Sequence, residues 1–365
     1  MKSRFSSTRS RYFLIPLLGS IALVTLWGRE LSNVALLIPG TLLVASVFTA
    51  VHHAEVVALK VGEPFGSLIL ALSVTVIEVG LIVVLLLESP ESNQNLARDT
   101  VFAAVMITTN GIVGIALLVK TLRQREAIFN AQGVGGALAS LATLSVLSLV
   151  LPTVTTSTPG PTFTAAQLIF AAVISLLLYV TFVAVQTVRH RDYFLPPPRE
   201  DQTIPIEAHV SPPSRDQAVR SLIGLLISLI AVVGLAKICS PIVQDFVDTR
   251  NLPQMMVAIV IAMIVLLPES ISAIKAARYG RTQTSLNLAY GSALASIGLT
   301  IPAIAIITNV FSYNINLGLN AVEIALLALT FFVSTLTVVQ GRATLLQSII
   351  HLSILGSFVM FAASP

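Results

Sequence analysis

Leu222-Ile223-Gly224-Leu225-Leu226-Ile227-Ser228-Leu229-Ile230-Ala231-Val232-Val233 is an almost unbroken apolar run, and Ile324-Ala325-Leu326-Leu327-Ala328-Leu329-Thr330-Phe331-Phe332-Val333 is another. Neither alternates apolar with polar residues over about ten positions, as a membrane barrel strand does. Both therefore read as helices, and no strand is indicated elsewhere. Working outward, positions 127 to 188 and 282 to 322 contain no Asp, Glu, Lys or Arg at all. Across the 365 residues, hydrophobic side chains make up 55% and charged ones 10%, against about 25% charged in an ordinary soluble domain. A soluble globule cannot cover its surface with so little charge. The composition specifies an all-α polytopic membrane protein.

About 20 apolar residues cross a hydrocarbon core as a helix. Cutting the chain at charges, prolines and Gly/Asn clusters gives eleven spans, at 12–28, 33–51, 65–87, 99–120, 133–151, 164–188, 219–239, 253–275, 283–308, 319–340 and 343–363. The first follows Lys2, Arg4, Arg9 and Arg11 and resembles the start of a secretory signal. Gly28-Arg29-Glu30 stands where a small-residue cleavage site would be, so 1–30 is read as a retained N-terminal helix. With the amino terminus inside, all of the 21 Lys and Arg except Arg29, Arg98, Lys237 and Arg250 fall on the inner side. That bias places the amino terminus in the cytoplasm and the carboxyl terminus outside a bacterial cytoplasmic membrane.

The one long polar stretch, Arg189 to Arg220, carries Pro196-Pro197-Pro198, Pro205 and Pro212-Pro213. It reads as a cytoplasmic Pro-rich linker over 189–218. The linker separates a five-helix segment at 31–188 from another at 219–365. An odd number of helices per segment gives the two opposite orientations, the inverted-repeat arrangement of many secondary transporters. The formal charge of +4 gives no reason to expect a nucleic-acid partner. The single Cys239 allows neither an internal disulfide nor a Cys-based metal site. The expected partners are inorganic cations and the lipid bilayer; nothing in the sequence sets an oligomeric state.

Two acids break the pattern. Glu78 stands in the middle of span three and Glu269, after Pro268, in span eight. A charge at the centre of a membrane helix costs on the order of 3 kcal/mol, so such residues mark function by default. Each lies in the second span of its segment, and each is followed by a span rich in hydroxyl and amide groups: Thr108-Thr109-Asn110-Gly111 after Glu78, Gly291-Ser292 to Ser296-Ile297-Gly298 after Glu269. Thr75, three residues before Glu78, shares its helix face. Carboxylates, hydroxyls, an amide and the carbonyl freed by Pro268 form an all-oxygen donor set suited to hard cations, Ca²⁺ above all. Two nearby carboxylates in a low dielectric resist being charged together, so without a metal they hold protons and a divalent cation displaces those protons. Glu78 and Glu269 are thus the cation and proton ligands, with Thr75, Thr109, Asn110, Ser292 and Ser296 as candidates around the ion. No resident cofactor is expected; the ions are cargo.

His53-Ala54-Glu55, Gly62-Glu63-Pro64-Phe65-Gly66-Ser67-Leu68-Ile69-Leu70, Ile77-Glu78-Val79, Arg98-Asp99-Thr100, Pro268-Glu269 and Gly341-Arg342 together resemble the bacterial calcium/proton antiporters of the cation/Ca²⁺ exchanger superfamily. The resemblance covers essentially the whole chain. It implies one extra helix plus two inverted five-helix repeats, with Glu78 and Glu269 at the positions of the paired repeat glutamates. Many relatives carry a strongly acidic segment between the repeats; here Asp192, Glu200, Asp201, Glu207 and Asp216 are interspersed with Arg, and an acidic sensing segment is not expected.

Plainer roles compete for the other candidates. Glu55, Glu63 and Glu323 are candidates for an access path, yet each also suits a helix terminus or interface. Adjacent His52 and His53 do not share a helix face, which argues against a chelate. Three functions remain open. The first is Ca²⁺/H⁺ exchange by alternating access. The second is Na⁺/H⁺ or K⁺/H⁺ exchange at the same site. The third is a lipid-modifying membrane enzyme, which the depth of the two acids and the lack of an acid-rich interfacial motif disfavour.

Overall fold

The structure, a computed structural model, describes residues 2–29, 35–62, 65–88, 93–196, 213–250, 252–311 and 315–364. Its helices are α1 (Lys2–Leu26), α2 (Leu37–Val61), α3 (Phe65–Glu88), α4 (Leu96–Met106), α5 (Val113–Thr121), α6 (Ala131–Ser145), α7 (Leu151–Val154) and α8 (Ala165–Ala184). After the linker come α9 (Arg215–Arg250), α10 (Gln254–Arg278), α11 (Thr282–Phe311), α12 (Ala321–Val339) and α13 (Leu345–Ala363). π-turns at Ile107–Ile112 and Val146–Val150 join α4 to α5 and α6 to α7, so each pair forms one continuous span. Among the described residues, ten spans are long and apolar enough to cross a membrane, and Tyr12–Leu26 is a shorter apolar helix. The eleven helical segments expected from the sequence are all present.

Several details differ from the sequence reading, among them that α1 begins at Lys2 instead of 12 and α9 runs to Arg250 instead of 239. Two short strands do form, β1 (Ala127–Ile128) and β2 (Arg342–Ala343), paired antiparallel. They lie in loops, where backbone groups left over from helices still need partners. The second span runs to Val61 rather than to 51, so His52, His53 and Glu55 sit within α2. The end of the first segment is ordered onto a π-turn (Val185–Arg189) and a 3₁₀ turn (Arg191–Phe194), with Phe194 buried edge-on against Phe182 at 5.9 Å. Asn287 Nδ2 donates to Phe194 O at 2.8 Å. The centre of the 189–218 linker, at 197–212, lies outside the described residues.

Helix starts are set by side-chain caps. Thr164 with Gln167, Asn320 with Glu323 and Thr344 with Gln347 each form a capping box, satisfying N–H groups that have no partner within the first turn. Inside the spans, Ser and Thr hydroxyls give their hydrogens to carbonyls one turn back, as Thr100 does to Leu96 O (2.7 Å) and Ser228 to Gly224 O (2.7 Å). Water is absent from the hydrocarbon core, so these groups are satisfied within their own helix.

The chain forms two compact units. One contains α1, α2, α3 and α9, with α2 packed along α9 and against α3. The other contains α4 to α8 and α10 to α13. In this second unit the span Leu96–Thr121 is buried over most of its length, while α13 directs Leu346, Ile349, Met360 and Phe361 outward.

The Gly-rich segment before Glu78 has a steric explanation. Gly62 ends α2 at φ 79°, in the left-handed region, and its N–H closes on Ala58 O. Gly66 then starts α3 so close to α2 that a Cβ would stand 2.6 Å from Ala58 O. Gly62→Ala and Gly66→Ala should each cost about 1–3 kcal/mol. Gly40→Ala, on α2 with open space around it, serves as the neutral control. Thermal unfolding of the purified variants in detergent checks this; wild-type midpoints for Gly66→Ala would refute the close approach.

Candidate functional site

Glu78 is buried on α3, 2% exposed, with Thr75 buried one turn before it. Thr75 Oγ1 donates to Ala71 O at 3.0 Å and Ser73 Oγ to Ile69 O at 2.8 Å. A hydroxyl that has given away its hydrogen keeps its lone pairs, which are what a cation uses. Elsewhere in the same unit, Glu55 is exposed on α2. Glu63 lies outside the described residues. His53 is buried, its Nε2 3.2 Å from Tyr12 O and its ring against the surface left open by Gly224 of α9. His52 stacks on Tyr12 with centroids 3.8 Å apart. Both rings are engaged in packing α2 on its neighbours.

In the other unit Glu269 is half-buried on α10, directly after the buried Pro268. Proline has no N–H, so the carbonyl of Ile264, one turn back, lacks its helical partner. α10 packs against α4, the Ile107–Ile112 turn, α5 and α11. Ser292, half-buried, and Ser296, buried, stand on α11, which also packs on that turn. Glu269, Thr109, Asn110, Ser292 and Ser296 therefore lie on elements that touch one another. Glu78 and Thr75 belong to the unit described above.

The turn that carries Thr109 and Asn110 is a π-turn, an insertion that recurs at functional sites. Thr108 Oγ1 donates to Ala104 O at 2.7 Å and Thr109 Oγ1 to Val105 O at 2.5 Å. Asn110 is fully buried; its Nδ2 donates to Thr330 Oγ1 at 2.9 Å, and its Oδ1 lies 3.1 Å from His351 Nδ1. Thr330 and His351 went unrecognised in the sequence. His351 had a usable signal, a lone imidazole within the apolar span 345–363; Thr330 had none, since hydroxyls are common in membrane helices.

Glu323 resolves toward a structural role. It completes the cap of α12, its carboxylate accepting from Asn320 N at 2.8 Å, and lies 3.9 Å from Arg98. Arg98, placed by the sequence reading in an outer loop, is buried in the first turn of α4. It contacts Asp99 Oδ1 at 2.6 Å and donates to Gly318 O at 2.9 Å. This cluster ties the start of α4 to the loop before α12. A neighbouring cavity of about 310 Å³ is lined mainly by apolar residues, among them Phe102, Met255, Leu326 and Phe358. Among the described residues no three His, Cys, Asp or Glu side chains are grouped to hold a metal ion. A cation bound beside one of these acids would take most of its ligands from neutral oxygens.

A family model described as sodium/calcium exchanger protein matches residues 31–188 and 220–363. The chain belongs to that family. Over its full length it is 44% identical to y4hA of Sinorhizobium fredii, a protein whose name assigns it to ionic transporters and all of which is covered. It is 30% identical to the sodium-potassium/proton antiporter ChaA of Escherichia coli, over 99% of this chain and 97% of that one. Among solved structures, an H⁺/Ca²⁺ exchanger, CAX, superposes with a TM-score of 0.71, covering 98% of this chain and 89% of that one. At 13% identity that likeness establishes the fold. The sodium/calcium exchanger family consists of multi-pass membrane proteins that transport cations, and its relatives here are transporters; the lipid-modifying enzyme is set aside.

Arg98→Leu would leave two buried carboxylates without their cation, which costs about 3–5 kcal/mol when a buried pair is broken. The variant should melt well below wild type in detergent. Glu323→Gln, which keeps the capping geometry, should stay close to wild type. The reverse order of stabilities would remove the structural role assigned to this cluster.

Proposed function

We propose that this exchanger-family protein is a cation/proton antiporter of the bacterial cytoplasmic membrane, exchanging Ca²⁺ for H⁺ by alternating access. The observation that carries the reading is a pair of glutamates inside apolar spans, Glu78 and Glu269, one in each of the two segments matched by the family. In this reading both are ligands of the transported ion and carriers of the exchanged protons, with Thr75, Thr109, Asn110, Ser292 and Ser296 contributing neutral oxygen. Two carboxylates are neutralised equally by one divalent ion or by protons, so the empty, doubly charged state is the costly one in hydrocarbon. Exchange follows if the protein changes its exposure only when the charge is neutralised.

The matched segments on either side of the linker support an arrangement as two inverted five-helix repeats after an extra first helix. The distribution of Lys and Arg supports a cytoplasmic amino terminus and an external carboxyl terminus. Neither proposal needs a resident cofactor. A second reading, Na⁺/H⁺ or K⁺/H⁺ exchange at the same residues, is favoured by the full-length 30% relative named for those ions. The all-oxygen donor set with two carboxylates supports the divalent cargo.

Purified protein in proteoliposomes, with a pH-sensitive dye and gradients of Ca²⁺, Na⁺ or K⁺ in turn, separates these readings. Ca²⁺-driven proton movement is expected. Acidifying the cation-loading side should raise the KM for the cation with little loss of maximal rate, because protons and metal compete. Glu78→Gln and Glu269→Gln keep volume and hydrogen bonding but lose the titratable charge, and each should reduce exchange to background in a folded protein. Exchange driven by Na⁺ or K⁺ alone would establish the second reading; normal flux from both variants would reject the site.

A further inference from the structure

Asn110 belongs to the proposed ion site, but a carboxamide has two nearly isosteric ends and only the oxygen suits a cation. An NH₂ group turned toward the ion would repel it. What fixes the orientation is a chain of buried groups drawn from α4, the π-turn, α12 and α13. Asn110 Oδ1 has no hydrogen to give, so the 3.1 Å contact requires His351 Nδ1 to donate. A neutral imidazole with its hydrogen on Nδ1 accepts at Nε2, and Thr337 Oγ1 stands there at 3.2 Å. Thr337 also lies 3.0 Å from Val333 O, which competes for the same hydrogen. On the other side, Asn110 Nδ2 donates to Thr330 Oγ1 at 2.9 Å, and Thr330 donates to Met106 Sδ at 3.4 Å. From His351 through Asn110 and Thr330 to Met106 each link runs in the same direction, and Asn110, Thr330 and His351 are all fully buried.

We infer that His351 is a positioning residue of the cation site, holding the Asn110 carboxamide in the orientation in which its oxygen, with one lone pair still free, faces the transported ion. The inference rests on the antiporter reading above, in which Asn110 contributes an ion ligand. It assigns a role in transport to α13, a helix that otherwise contributes no candidate ligand.

Two amide replacements test it, because they place a donor at different corners of the ring. His351→Asn puts its amide nitrogen near the position of Nδ1 and can still donate to Asn110. His351→Gln reaches the position of Nε2 and retains the Thr337 contact alone. In proteoliposomes, with Ca²⁺, Na⁺ and K⁺ as probe ions, His351→Gln and His351→Leu should raise the KM for the transported ion about tenfold, the worth of one hydrogen bond, while maximal rate changes less than about threefold. His351→Asn should restore KM to within about threefold of wild type. In an Asn110→Ala background, His351→Leu should add nothing further, since both act through one group. Equal behaviour of the Asn and Gln variants would overturn the inference. So would a wild-type KM for His351→Leu, or additive effects of the two substitutions. If His351→Leu fails to fold, the Asn and Gln pair, both polar and similar in size, decides alone. A wild-type KM for Asn110→Ala, with Glu78→Gln and Glu269→Gln inactive, would sink this inference and leave the antiporter standing. Active Glu78→Gln and Glu269→Gln would reject both.

Discussion

A carboxylate buried in hydrocarbon is the constraint around which this protein is arranged. Glu78, 2% exposed on an apolar helix, has no bulk water to stabilise its charge. In the antiporter proposed above, that charge is neutralised in turn by the transported cation and by protons, which makes an unfavourable burial the means of moving ions. The same physics acts on every other polar group in the spans. Thr75, Thr109 and Ser73 give their hydrogens to their own helix, which leaves oxygen lone pairs, and not donors, for any further partner.

The backbone obeys the rule as well. Helices satisfy their own N–H and C=O groups, and where they do not, the exception is localised. Pro268 withholds a donor immediately before Glu269, and the π-turn at Ile107–Ile112 disturbs the regular ladder beside Thr109 and Asn110. Helices α10 and α11 pack directly on that turn. Irregular backbone thus stands beside several of the candidate ligands. The buried Arg98–Asp99 pair with Glu323 is a contrasting arrangement, in which acids share a resident cation and hold a helix end.

Much of this was legible in the chain itself. Charge-free stretches such as 127–188 leave only membrane helices as a folding solution, because no other element satisfies its backbone there. Helix boundaries followed from charges, prolines and caps to within a few residues at most ends. They failed at the end of α9, which runs to Arg250 instead of 239, and at α2, which continues past 51 because His52 and His53 are accommodated by packing against α1 and α9, which no local pattern encodes. The two acids were conspicuous because an isolated charge in an apolar run is expensive whatever surrounds it.

Composition and hydrophobic pattern alone therefore determined the fold class and the number of helical segments, and made the two glutamates stand out, since each reflects the cost of a group in hydrocarbon and that cost is local. Tertiary structure decided the partners. That Asn110 meets Thr330 and His351, more than two hundred residues away, and that Arg98 is a buried clamp instead of a loop charge, depends on which helix faces which. A hydrogen bond between distant segments leaves no periodic trace in either one. Only packing brings its two ends together.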